Sequence, residues 1–296
     1  MPNESPEVSP TLPPWGRPER NRLLLWAAIG IVFPGLCIFA FHLVFKPPDG
    51  TFSVRTELPV KAIMALFVVL ATWIVSRMEK RALDEYGLPL SQMFGKRFWE
   101  GCIWGFAMLS AIVLLLCWSG HFQIDSVALT GDALFRYALG WAAVFLAVSI
   151  SEELAFRGYW LFTFARRLRF WPAALFTSAI FGVAHLGNPG ENFLGILQVV
   201  VTGLLFCLMI RRTGSLWFAL GYHAAWDWAE TFFYGTPDSG LIGVGHFLNT
   251  SYHGPTWLTG GSAGPEGSMF TFLVLCLCAF LIHLRFPNAI YPDRPA

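Results

Sequence analysis

Glu152 and Glu153 stand side by side, with Arg157 four residues on, near the end of an apolar run that otherwise has the composition of a membrane-spanning helix. An ionised group at that depth is costly unless it is paired or put to use. A second apolar run carries His185, and a third carries His223 and Asp227. Carboxylates and imidazoles take protons from water and return them to leaving groups. Gathered inside a bilayer, residues of these types point to hydrolysis within the membrane.

Spacing divides the labour. Glu153 and Arg157 are an i,i+4 pair with the acid on the N-terminal side, the favoured orientation for a helical ion pair, which makes them scaffold and charge balance. Glu152 lies about 100° further round the helix, free to face a cavity as the working carboxylate. His223 and Asp227 are also i,i+4, as are Phe181 and His185. Counted along the helix rise from each expected cytoplasmic end, Glu152 and His185 fall ~21 Å deep and His223 ~16 Å deep. Three helices would thus deliver their polar groups to one layer. For any single intramembrane histidine, a hydrogen bond between helices is the competing account. His42 and His283, near span ends, take that simpler role, and His121, His246 and His253 fall in loops.

The elements that must position these residues are helices. Of 296 residues, 55% are hydrophobic and 13% charged, against about 25% charged in soluble domains. The expected class is all-α: a polytopic membrane protein of about eight spans, with the active site in the core of the bundle. At the ~20 residues a bilayer requires, the spans read 22–45, 59–77, 99–118, 133–155, 171–187, 193–210, 215–234 and 269–285. The fourth continues as a helix past Phe164, too long to cross upright, so it must tilt, kink or emerge.

With the N-terminus inside, 15 of the 20 Lys and Arg fall on cytoplasmic segments and four outside, as the positive-inside rule requires for eight spans with both termini cytoplasmic. Residues 1–21 are polar and Pro-rich and read as a disordered cytoplasmic tail. Residues 22–287 form one transmembrane domain with its catalytic core at about 130–235, followed by a cytoplasmic tail at 288–296. The 78–98 segment fits an amphipathic surface helix or an ordinary loop equally well. The Gly-rich 235–268 segment reads as an external loop that caps the bundle or moves. The six cysteines all lie in apolar runs and read as free space-filling thiols. A net charge of +1 with no basic cluster offers nothing to nucleic acid.

Competing hydrolase signatures are missing: there is no H-E-x-x-H, no G-x-S-x-G and no pair of aspartates on facing spans. Ser151-Glu152-Glu153-Leu154-Ala155-Phe156-Arg157-Gly158 instead resembles the E-E-x-x-x-R motif of the type II CAAX prenyl endopeptidases and their bacterial relatives, the CPBP intramembrane proteases. Phe181-Gly182-Val183-Ala184-His185 is similar to that family's F-x-x-x-H. His223-Ala224-Ala225-Trp226-Asp227 is similar to its third motif, H-x-x-x-N or D. The motif order also matches, over about residues 130–235.

The resemblance implies an intramembrane endopeptidase that hydrolyses a peptide bond of a membrane-associated protein or peptide, with prenylated and lipidated substrates within its range. It implies Glu152, Glu153, Arg157, His185, His223 and Asp227 as site residues, and a bacterial inner (plasma) membrane location. Glu152 with His185 would take the proton of the attacking water, and His223 with Asp227 would stabilise the oxyanion. The same residues admit a Zn2+ ion held by Glu152, His185 and His223, or a metal-free glutamate mechanism. Two readings from other classes stand beside it: a non-catalytic immunity or scaffold protein, and a proton-coupled transporter, the latter weakened by the lack of an internal repeat. Oligomeric state is left open.

Overall fold

The computed structural model describes residues 20–33, 35, 36, 39, 52–188, 190 and 192–291. All but two residues of the expected N-terminal tail, part of the first expected span and the end of the C-terminal tail lie outside this range.

In chain order the helices are α1 (Arg20–Ala27, continued by a π turn at Ala28–Val32), α2 (Val54–Glu79), α3 (Lys96–Trp118), α4 (Gly131–Ala165), α5 (Phe170–Ala184), α6 (Phe193–Thr213), α7 (Leu216–Trp228, continued by a π turn at Ala229–Phe233), α8 (Thr256–Thr259) and α9 (Met269–Arg285). Five stretches are long and apolar enough to cross a membrane: Val54–Glu79, Lys96–Trp118, Gly131–Ala165, Phe170–Gly187 and Phe193–Thr213. They mark an integral membrane protein, and their outward faces carry the exposed apolar side chains that lipid requires, including Trp99, Ile103, Leu139 and Val183.

The count of eight is not reached on these criteria. Asn21–Val32 and Met269–Arg285 are apolar but shorter, and the seventh stretch is divided into a 13-residue α-helix and a five-residue π turn. The chain is mostly helical, as expected, with one small β element beside the helices. Strands β1 (Phe122–Val127) and β2 (Leu248–Tyr252) pair antiparallel, Phe122 opposite Tyr252. Alternation is weak in both strands, which is why the ribbon was not legible in the sequence. It ties the 235–268 segment to the end of α3, so that segment is a built cap.

The 78–98 segment is a connecting loop with two short 3-10 turns, Leu83–Tyr86 and Leu90–Gln92. Its anchor is Tyr86, fully buried, whose hydroxyl donates to Glu79 Oε2 at 2.6 Å. Arg166 Nη1 reaches the same oxygen at 2.8 Å. This cluster pins the end of the long helix α4 to the end of α2.

Helix α7 is the axis of the bundle. Most of its residues are buried, and it packs against α3, α4 and α6, while α2 packs on α4 and α5 on α6. Its start is set by a tight hairpin. Gly214 ends α6 at φ 68°, and Ser215 Oγ accepts the Trp217 N–H at 3.3 Å.

Close approach of α3 to α7 depends on glycine. A Cβ on Gly101, Gly105 or Gly221 would collide with the backbone carbonyls of Phe218, Tyr222 and Phe98 respectively, a small-residue contact of the kind that lets membrane helices pack backbone to backbone. Gly105→Ala is therefore expected to destabilise the bundle by about 1–3 kcal/mol, because the obstacle is backbone and has nowhere to go. Thermal unfolding in detergent measures this; an unchanged Tm would mean that the helices do not touch there.

Candidate active site

The acidic pair sits where α4 changes its winding. Gly131–Glu153 is regular α-helix, and Leu154–Trp160 is a π segment before α-helix resumes at Leu161. Such π turns re-aim side chains and recur at functional sites. The long helix expected from the sequence is thus present, with its irregularity directly after the two glutamates.

Glu153 and Arg157 both point into the core and are fully buried. Arg157 Nη1 donates to Glu153 Oε1 at 3.0 Å. The guanidinium also lies over the Phe181 ring at 4.0 Å and near Phe206 at 5.6 Å. It fits because residue 203 is glycine: a Cβ there would collide with Arg157 Nη2.

Glu153 does more than balance charge. The same Oε1 lies 3.0 Å from His223 Nδ1, so Nδ1–H donates to the carboxylate and the ring orientation is fixed. The spacing argument tied Glu153 to Arg157 only, because a contact across 70 residues leaves no periodic trace. Asp227 stands at the other ring nitrogen, its Oδ2 3.3 Å from Nε2.

Glu152 turns the other way, towards the cavity, and its side chain is 23% exposed. Its Oε2 lies 3.8 Å from His223 Nε2. His223 is therefore met by three carboxylates, Glu153 on one side of the ring and Glu152 and Asp227 on the other. Phe206 stacks on the imidazole at 5.5 Å.

His185 closes the set from α5, whose last turn it caps. Its Nδ1 donates to the Phe181 carbonyl at 2.8 Å, which leaves Nε2 as the free ring nitrogen, and its ring meets Phe181 edge-on at 4.5 Å. Glu152, His185, His223 and Asp227 all line one cavity of about 580 Å³. Trp26, Met64, Phe145, Phe156 and Trp160 supply much of its apolar wall. Gln198 and Thr202 of α6 also line it, joined by a 2.8 Å hydrogen bond; the sequence offered no motif to flag them.

Of the expected zinc ligands, Glu152 and His223 approach each other, Oε2 lying 3.8 Å from Nε2. Among the described residues, the one group of three or more His, Cys, Asp or Glu with ligand atoms within 4.8 Å of one another is Glu230, Asp238 and Glu266. Glu152, His185 and His223 do not form such a group.

The acidic triad was not anticipated. Glu230 follows Asp227 by one helical turn within the same apolar run and could have been noticed; Asp238 and Glu266 are brought to it only by the folded cap. Burial pushes the Asp238 carboxyl well above the usual carboxylate range, and the neighbouring carboxylates of Asp227 and Glu266 add to the shift.

Comparison with known proteins supports the family resemblance. Residues 133–229 match type II CAAX prenyl endopeptidase Rce1-like proteins. The resemblance carried by the three motifs is thus shown, and every residue from Glu152 to Asp227 discussed above lies within the matched segment. Over a longer stretch the chain is 25% identical to the uncharacterized protein YyaK of Bacillus subtilis, across 81% of this chain and 88% of that one. No solved structure matches. Asp238 and Glu266, and the cap that carries them, fall outside the Rce1-like segment.

Proposed function

We propose that this chain is an intramembrane endopeptidase of the Rce1-like kind, cutting a peptide bond in a membrane-associated protein or peptide by means of water activated at Glu152. The observation that carries the proposal is the convergence of Glu152, His185, His223 and Asp227 on one largely apolar cavity.

Glu152 is the carboxylate of the set that faces open space, and it takes a proton from water as the oxygen adds to the scissile carbonyl carbon. His185, held through Nδ1, presents Nε2 to orient that water. With Nδ1–H donated to Glu153, a proton carried on His223 Nε2 or on Asp227, whose Oδ2 lies 3.3 Å from that nitrogen, turns to the oxyanion as its hydrogen-bond donor. Collapse of the intermediate breaks the C–N bond, and Glu152 returns its proton to the leaving amine. The sequence-based division of roles is kept, with Glu153 added as the group that orients His223.

An aromatic, apolar cavity wall supports substrates with a lipid-like or transmembrane portion, prenylated or lipidated ends among them. We place both termini in the cytoplasm on the distribution of basic residues, and the protein in a bacterial inner membrane. A zinc version would call on Glu152, His185 and His223, of which Glu152 Oε2 and His223 Nε2 lie 3.8 Å apart; the scheme above routes no step through a metal. Accordingly, hydrolysis by protein stripped with a chelator is expected to match that of untreated protein. Loss of cleavage on stripping, restored by zinc, would overturn the metal-free scheme. A comparison of protein termini between cells carrying wild-type and Glu152→Gln protein would reveal the substrate.

A further inference from the structure

The hydrolytic scheme leaves three carboxylates unused. Glu230, Asp238 and Glu266 offer oxygens that lie within 4.8 Å of one another, at the end of α7 remote from the α6–α7 hairpin. Asp238 and Glu266 line the same cavity as the catalytic set, yet they arrive on the cap. Each is held by its surroundings. Glu230 Oε1 accepts the Glu266 N–H at 3.2 Å, Asp238 Oδ2 accepts the Thr231 hydroxyl at 3.1 Å, and Glu266 Oε1 accepts the N–H and hydroxyl of Ser239 at 2.7 and 2.9 Å.

Glu230 Oε2 is different. It belongs to a fully buried side chain and has no hydrogen-bond partner. A buried carboxylate oxygen without a donor is unfavourable, and adding two more carboxylates raises the cost unless protons or a cation neutralise them. Among the described residues, Lys61 is the one Lys or Arg along the cavity wall, and the charges acting on Glu230 and Asp238 are mainly those of other carboxylates. A cation held at the 2.3–2.6 Å typical of Ca2+ needs oxygens no more than about 5 Å apart, which the triad satisfies. The donors are all oxygen, which selects hard cations over zinc. A ligand as buried as Glu230 leaves little room for the waters that Mg2+ retains, so Ca2+ fits better.

We propose that Glu230, Asp238 and Glu266 form a Ca2+ site that fastens the cap to the end of α7, separate from the hydrolytic centre. The alternative occupant is protons shared among the carboxyls, and the experiment distinguishes the two. Full-length protein in detergent, freed of divalent ions with a chelator, is titrated with CaCl2 by calorimetry and melted with and without the ion. The expected results are one Ca2+ per chain and a Tm raised by about 5 °C at saturation. Asp238→Asn and Glu230→Gln are expected to weaken binding at least tenfold. Glu152→Gln is expected to bind Ca2+ as wild type does, which keeps this site independent of the proposed hydrolysis. Absence of saturable binding in folded wild-type protein, or unchanged affinity in Asp238→Asn, overturns the site and leaves the carboxyls to their protons.

Discussion

Glu152→Gln is expected to lower the rate of peptide hydrolysis by about 10²–10⁴-fold, the range that a positioned general base supplies, without unfolding the protein. The substitution keeps shape and volume and removes only the ability to accept a proton. Glu152 is the member of the set that faces the cavity, and its Oε2 is 3.8 Å from the nearest ring nitrogen, beyond a hydrogen bond. The fold therefore gains little from its charge. Product formation measured by mass spectrometry, beside a melting curve, separates lost chemistry from lost structure. If the Glu152→Gln protein cleaves at the wild-type rate, water activation at this residue is wrong, and a binding role of the immunity or scaffold type becomes the better account.

The difference between the two adjacent glutamates was legible in the sequence because helical periodicity alone separates their faces. Glu153 shares a face with Arg157 and Glu152 does not, and the structure has one buried and paired, the other at the cavity. Gathering the histidines was legible as depth, since each polar residue is a countable number of turns from a charged end. Depth says nothing of rotation about each helix axis, which is why the bond between Glu153 and His223 was missed. The cap was opaque for another reason. Gly, Ser and Pro dominate residues 235–268, and its two carboxylates acquire meaning only against Glu230, through contacts such as Ser239 with Glu266. Span counting had a similar limit: α7 is short and carries acids because protein surrounds it, a circumstance that composition does not encode.

Arg157→Met should be the most damaging single change to stability. Arg157 and Glu153 are both without exposure, 3.0 Å apart, and removing one member of a buried pair typically costs about 3–5 kcal/mol because the other charge is stranded. Here the stranded group is Glu153, whose Oε2 already has no partner and whose Oε1 would keep only the His223 N–H. The loss also removes the cation that rests on Phe181, the residue whose carbonyl orients His185. Both histidines then lose a support, so hydrolysis should fall even in the fraction that remains folded. Glu153→Gln in the same background takes away the stranded charge, and the double variant should recover part of the stability while hydrolysis stays low, since the amide that replaces the Glu153 carboxylate offers His223 a weaker acceptor. Unfolding in detergent across the four proteins of this cycle gives the coupling. A cost below about 1 kcal/mol for Arg157→Met, the level of an exposed pair, would mean that the ion pair contributes little and that the orientation of His223 is set elsewhere.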